Sequence, residues 1–145
     1  MTAVFRAVLF LNVFVQLAVE GRHGMKACDF EFALPRPSYT LHTLNALVQA
    51  FPDKRFSLLI GADNWEKFDR WYKGDEIISR HNVIVYPRGN ETEPPLPQGV
   101  QWLPAKLYDV SSTMVRAAVR DGKGVTDFVP QPVARFIKDN KMYEK

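Results

Sequence analysis

The chain has 145 residues, 46% hydrophobic and 24% charged, a composition that suits one soluble globular domain with one core. A net charge of +3 with dispersed Lys and Arg excludes the concentrated basic surface typical of nucleic-acid-binding proteins. The single cysteine, Cys28, excludes an intrachain disulfide and a zinc site built on cysteines, so a reducing cytoplasm is the expected compartment.

The first element is an apolar segment at residues 7–20, which predicts a buried helix, although its valines also permit a strand. Arg6 before this segment and Gly21 after it give it a loose similarity to a secretory signal. The segment is shorter than the roughly 20 apolar residues that span a bilayer, and Asn12 and Gln16 interrupt it. We therefore expect a core element and no membrane partner.

The next elements are a strand and an amphipathic helix. Alternation of apolar and acidic residues over Ala27–Ala33 predicts a half-buried strand, which Pro35 and Pro37 end because proline cannot donate to a ladder. Leucines at helical spacing predict a helix over Leu41–Phe51, which Pro52 closes.

The rest of the chain predicts a regular succession of strands and helices. Short apolar runs predict strands at Phe56–Ile60 (buried on both faces), Val83–Tyr86 and Val100–Leu103. Helical spacing predicts helices through Phe68 and Trp71, at Glu76–Arg80, from Ser111 or Ser112 to Asp121, and from Pro132 to Ile137. A proline-rich surface loop is expected at Gly89–Gln98.

This alternation of strands and helices predicts an α/β fold of the Rossmann-like kind, with a mostly parallel sheet and helices on both faces. In such sheets a ligand binds beyond the carboxyl ends of the strands. Three segments are predicted to meet at that edge: Gly61–Asp63, Tyr86–Arg88 and Val110–Thr113.

The last of these segments has the strongest chemical signal. Hydroxyl side chains at a helix start, with its unpaired amides and positive dipole end, favour phosphate binding. Arg116 follows Ser112 by four residues, one helical turn, so its guanidinium is expected on the same face. An ordinary N-cap followed by a surface arginine explains the same spacing equally well.

Other candidates are individually weaker, and each has a structural alternative. Asp63 could accept hydrogen bonds from a ribose or cap the helix that follows it. Trp71 and Tyr72 could stack on a planar ring or belong to the core. Tyr39 and Thr40 could present amides to a carboxylate or form only a turn. None of the three histidines is near another in sequence, so no metal site is predicted.

Taken together, these segments resemble the bacterial nicotinate-nucleotide adenylyltransferases of the nucleotidyltransferase superfamily. The resemblance covers Val15 to Tyr143, and it depends on the order and spacing of several motifs. These motifs are Ser38-Tyr39-Thr40-Leu41-His42-Thr43-Leu44, Ile60-Gly61-Ala62-Asp63-Asn64, Phe68 with Trp71-Tyr72, Val85-Tyr86-Pro87-Arg88, and Val110-Ser111-Ser112-Thr113-Met114-Val115-Arg116 with Val129-Pro130 and Val133. The last motif is shared with related adenylyl- and cytidylyltransferases, whereas the Ser-Tyr-Thr and Trp-Tyr motifs favour a nicotinate substrate.

The resemblance implies an enzyme of NAD biosynthesis that joins ATP to nicotinate mononucleotide, giving deamido-NAD and pyrophosphate with Mg²⁺. The catalytic residues that it implies are Ser112, Thr113 and Arg116. It implies ATP binding by Gly61, Asp63, Arg88, Ser111, Ser112, Thr113 and Arg116. Nicotinate binding is implied for Tyr39, Thr40, Trp71 and Tyr72.

One departure from the family concerns its opening elements. The family opens with a strand, a glycine-rich turn and a Thr/His-x-Gly-His motif that holds the ATP phosphates, and the 145 residues contain no such motif. We interpret the chain as a single domain, 1–145, in which residues 1–14 are an atypical apolar lead, 15–145 are family-like and the first family strand is missing. Two alternatives to catalysis are a remnant that binds a mononucleotide or self-associates as a homo-oligomer, and a secreted binding domain.

Overall fold

The computed structural model describes residues 12–87, 92–104 and 110–144. The chain divides into two compact units, one formed by Glu31–Asp109 and the other by Met1–Phe30 together with Val110–Lys145. We refer to them as the sheet unit and the helical unit. The single domain expected over 1–145 stays a prediction.

Six helices and three strands have been assigned in the described residues. The helices span residues 12–19 (α1), Thr40–Ala50 (α2), Ala62–Trp65 (α3), Gly74–Arg80 (α4), Ser112–Arg120 (α5) and Gln131–Asp139 (α6). The strands are Ser57–Gly61 (β1), Asn82–Tyr86 (β2) and Val100–Trp102 (β3). Two short 3₁₀ turns lie at Phe30–Ala33 and Phe68–Arg70.

The sheet unit contains a three-stranded parallel sheet in the order β1-β2-β3. The register places Gly61 opposite Tyr86 and Val85 opposite Trp102. This parallel sheet with its helices confirms the predicted α/β class. Because neighbouring parallel strands end at the same edge, the residues after β1 and β2 start from one side of the sheet.

The core of the sheet unit forms where β2 packs against α4. Ile77, Val83 and Val85 are fully buried, and burial of each such side chain contributes roughly 1.5–3 kcal/mol. The prediction that β1 is buried on both faces is wrong, because Leu59 is 56% exposed while Ile60 is buried. One face of β1 therefore has an exposed apolar side chain in the described structure.

The helical unit has its own core between α5, α6 and the segment that joins them. Its buried members are Val115, Ala118, Val125, Val133, Ala134 and Ile137. α1 packs against this core, and the rings of Phe14 and Phe136 meet edge to face with centroids 5.6 Å apart. The predicted helix at 7–20 is confirmed over residues 12–19, but its side chains are only half-buried or exposed, and residues 7–11 lie outside the described ranges.

Two predicted elements differ from the structure. Ala27–Ala33 is not a strand: its second half is the 3₁₀ turn Phe30–Ala33, Phe32 is 56% exposed, and no described strand pairs with the segment. The continuous helix predicted through Phe68 and Trp71 is also wrong, because it breaks at Lys67 and Trp71 is extended. The other predicted helices and strands are present, with ends shifted by a few residues.

Candidate functional site

Two of the three segments predicted to meet at the carboxyl edge of the sheet belong to the sheet unit. Gly61 ends β1 opposite Tyr86, and it is also the N-cap residue of α3, without a side-chain hydrogen bond. Asp63 is exposed in the first turn of α3, so the alternative in which it caps that helix is wrong. A carboxylate in a first turn is stabilised by the helix dipole. Arg88, predicted to bind ATP, lies outside the described residues.

A cluster of three rings lies at the start of α2. Tyr39 and Tyr72 stack with centroids 4.4 Å apart and an interplanar angle of 24°. His42 meets both rings nearly at right angles, at 5.5 Å from Tyr39 and 5.3 Å from Tyr72. Both tyrosines remain more than a third exposed. The structure thus brings together two residues that the sequence assigned to one pocket.

The backbone at the start of α2 leaves one amide available to a ligand, that of Thr40. Tyr39 occupies the N-cap position of α2, and its carbonyl oxygen accepts the amides of His42 at 2.9 Å and Thr43 at 3.1 Å. Thr40 is the first helical residue, and an amide at that position has no acceptor within its own helix. This amide is suited to a carboxylate or another anionic group.

Trp71 belongs to the edge of the core, and its predicted stacking on a planar ring stays a prediction. One side of its indole is stacked on Phe68, with centroids 5.1 Å apart, and Phe68 is buried and also meets Trp65 at 5.1 Å. Trp71 itself is only half-buried, packed against the core of the sheet unit. A row of supporting rings therefore holds the indole in place while part of its surface remains open to a ligand.

In the helical unit, α5 starts with a well-formed cap. The hydroxyl of Ser111 accepts the amide of Met114 at 3.3 Å, and the Ser111 carbonyl accepts that of Val115 at 3.2 Å. The amides of Ser112 and Thr113, at the first two helical positions, have no acceptor within the helix. Such amides, added to the positive end of the dipole, favour an anion at this helix start.

Arg116 bends back toward the same helix start. Its Nη2 donates a hydrogen bond to Oγ1 of Thr113 at 3.0 Å, and both residues are exposed. This side-chain hydrogen bond of the guanidinium is to Thr113, one position further along the helix than Ser112, the residue expected from the spacing. The positive charge of Arg116 therefore lies within one helical turn of the Ser112 and Thr113 amides.

An apolar groove of about 370 Å³ runs beside this helix start, within the helical unit. Ser111, Ser112 and Arg116 form its polar edge. The remaining lining residues are apolar or aromatic, among them Phe14, Val15, Val110, Val115, Val129, Pro130, Val133 and Tyr143. A groove of this size and character, with polar groups at one edge, suits a planar base linked to phosphates.

Sequence reasoning missed one member of the ring cluster, His42. It has no role in the site predicted from the sequence beyond its place in the motif Ser38-Tyr39-Thr40-Leu41-His42-Thr43-Leu44. Its position three residues after Tyr39 in a helix predicts that the two side chains share a face. That spacing was a signal available in the sequence.

Neither a metal cluster nor a membrane span is found in the described part of the chain. No group of three or more His, Cys, Asp or Glu residues there is placed to hold a metal ion. None of the helices described has both the length and the apolar character needed to cross a bilayer.

The chain matches a family model and is similar in sequence to known proteins. A family model described as cytidylyltransferase-like matches residues 21–118. The chain is 43% identical over 125 residues to a probable nicotinate-nucleotide adenylyltransferase of Bacteroides fragilis, covering 85% of this chain and 62% of that protein. With the probable nicotinate-nucleotide adenylyltransferase of Flavobacterium johnsoniae it shares 33% identity over 139 residues, covering 90% and 70%. The chain thus spans less than two thirds of the Bacteroides fragilis relative.

The fold is also similar to a solved structure. A putative nicotinate-nucleotide adenylyltransferase from Vibrio parahaemolyticus superposes with a TM-score of 0.65 at 22% sequence identity. The match covers 100% of this chain and 73% of the other. At that identity the similarity concerns the fold.

Proposed function

Because the chain belongs to the cytidylyltransferase-like superfamily and, within it, to the nicotinate-nucleotide adenylyltransferases, we propose that it binds ATP and nicotinate mononucleotide for adenylyl transfer. The products of this reaction are deamido-NAD and pyrophosphate. The reaction belongs to NAD biosynthesis. The observation that carries the proposal is the start of α5, where the Ser112 and Thr113 amides and the Arg116 guanidinium lie within one helical turn.

The start of α5 is assigned to the phosphates of ATP. A polyphosphate there would accept hydrogen bonds from the two amides and meet the charge of Arg116, which the Thr113 hydroxyl orients. The adjoining apolar groove offers a surface for the adenine ring. Gly61 and Asp63, with Arg88, are assigned to the nucleotide as well, on the basis of the family motif.

The aromatic residues of the sheet unit are assigned to the nicotinate end of the mononucleotide. Trp71 supplies a half-open indole face for stacking on the pyridine ring. The stacked rings of Tyr39 and Tyr72 supply hydroxyl groups for the carboxylate. The free backbone amide of Thr40 is assigned to the same carboxylate. This division gives the two substrates separate sets of residues, which allows them to be tested separately.

The reaction requires the protein to position the two substrates more than to take part covalently. The mononucleotide phosphate attacks the α-phosphorus of ATP, the bond to the β-phosphate oxygen breaks, and pyrophosphate leaves. ATP enters as its Mg²⁺ complex, in which the ion neutralises phosphate charge. The role assigned to the residues named above is to bind the two substrates and to stabilise the charge that develops.

The alternative to catalysis predicted from the sequence is a chain that binds a mononucleotide, or self-associates, without turnover. A homo-oligomer and a cytoplasmic location both stay predictions.

The proposed activity is tested by incubating the purified chain with ATP, Mg²⁺ and nicotinate mononucleotide and measuring pyrophosphate. Pyrophosphate release that depends on the mononucleotide supports catalysis, whereas tight binding of both ligands without release supports the alternative. Binding of neither ligand contradicts both functions.

The assignment of the nicotinate end is tested with Trp71→Ala. Loss of base stacking on an aromatic ring costs roughly 1–3 kcal/mol, so we expect mononucleotide affinity to fall about 5- to 150-fold with little change for ATP. Trp102→Ala is the matched control, since Trp102 is a half-buried tryptophan of β3 outside the proposed site. If Trp71→Ala weakens both ligands equally, Trp71 has only a structural role.

A further inference from the structure

The ring cluster Tyr39–Tyr72–His42 contains one ionisable group that the proposed function does not use. The two tyrosines lie 4.4 Å apart, so they leave no room for a third ring between them. A ligand must therefore approach this pair from outside. His42 flanks both rings, with centroids within 5.5 Å of each, and its side chain is exposed.

The basic residues near the cluster differ in their ion-pair partners. Lys73 lies over the Tyr72 ring, with Nζ 5.7 Å from the centroid, but the same Nζ is 3.3 Å from Glu76. Glu76 also pairs with Arg80 at 3.0 Å. Within the described ranges no ion pair involves His42. A carboxylate at the tyrosine pair thus lies near an imidazole that has no ion pair within the described ranges.

We propose that His42 is a specificity-determining residue that favours nicotinate mononucleotide over the amidated mononucleotide. The imidazolium donates an N–H to the nicotinate carboxylate and opposes its charge, whereas the neutral carboxamide gains only a hydrogen bond. The inference rests on the proposed function, because it requires the pyridine ring to bind beside Tyr39 and Tyr72.

The test is a pair of titrations by isothermal calorimetry, with nicotinate and nicotinamide mononucleotides, at pH 5.5 and pH 8.5. These values bracket the usual titration range of histidine. The readout is the ratio of the two Kd values, because both ligands carry the same phosphate and its titration cancels. We expect the preference for the acid to be roughly two- to fivefold greater at pH 5.5, the size that a partly exposed ion pair gives.

Three variants separate His42 from its neighbours. His42→Gln should lose the extra preference at pH 5.5 and show no pH dependence, while His42→Arg should keep the preference at both pH values. His23→Gln is the matched control: His23 is exposed in the helical unit, outside the proposed site, and its variant should behave as the unmodified chain.

Two kinds of result overturn the inference, and they are distinguishable. If the unmodified chain prefers the acid but His42→Gln retains that preference, the inference fails and the proposed function stands. A loss of preference in Lys73→Gln, with none in His42→Gln, assigns the role to Lys73. If the unmodified chain binds neither mononucleotide, the proposed function fails and the inference fails with it.

Discussion

Gly74, the first residue of α4, lies against the aromatic row that supports Trp71. A Cβ added to Gly74 would lie 3.0 Å from the carbonyl oxygen of Phe68 and 3.1 Å from Cε1 of its ring. That carbonyl accepts the amide of Trp71 at 3.0 Å, and the ring is buried next to Trp65 and Trp71. Neither group can move without disturbing a neighbour.

The expected effect of Gly74→Ala is the difference between two opposing contributions. Overpacking of a well-packed site costs about 1–3 kcal/mol. Replacement of glycine by alanine in a helix returns at most about 1 kcal/mol, and less in a first turn. We therefore expect the free energy of unfolding to fall by about 1–2 kcal/mol. The displaced Phe68 should also shift Trp71 and weaken mononucleotide binding.

Urea denaturation followed by tryptophan fluorescence measures this change, with Gly124→Ala as the control. Gly124 has no heavy atom within 4 Å of an added Cβ and no positive φ, so its variant should match the unmodified chain or be slightly more stable. A Gly74→Ala chain as stable as the Gly124→Ala chain would refute the reasoning. It would mean that Phe68 relaxes freely and does not hold Trp71.

Two further substitutions test single contacts. Ser111→Ala removes the cap of α5, so urea denaturation should show a free energy of unfolding lower by about 1 kcal/mol. Calorimetry should show weaker ATP binding, and unchanged ATP affinity would contradict the phosphate assignment. His81→Leu removes a buried Nε2 that has no hydrogen-bond partner in the described structure. In the same denaturation assay, the free energy of unfolding should therefore stay constant or rise by about 1 kcal/mol. A lower free energy of unfolding would reveal a partner of Nε2 in solution.

The sequence predicted those elements whose pattern depends on local spacing. α2, α5 and α6 have apolar residues at helical spacing and clear ends, and all three were found. The strand predicted at Ala27–Ala33 shows the limit of such predictions. Alternation of apolar and acidic residues indicates only that one side of a segment is apolar. A strand also needs a neighbour to pair with, and none is present here in the described structure.

The candidate site was predictable to a similar extent. The hydroxyls at the start of α5 and the pairing of Tyr39 with Tyr72 follow from motif positions. The choice of Thr113 as the partner of Arg116, and the approach of His42 to both tyrosines, depend on side-chain directions. Thr113 and Ser112 are three and four residues from Arg116, so helical spacing does not choose between them. The approach of His42 to Tyr72 is set by packing between segments distant in sequence, so residue spacing alone does not determine it.

The helical unit has a consequence for synthesis on the ribosome. α1 is synthesised before α6, the ring that meets Phe14 belongs to Phe136, and the whole sheet unit lies between them in the chain. At about 5–20 residues per second, translation separates the two rings by roughly 6–24 seconds. During that interval the apolar side of α1 has no native partner from α6. We expect the nascent chain to expose α1 to chaperones throughout this period.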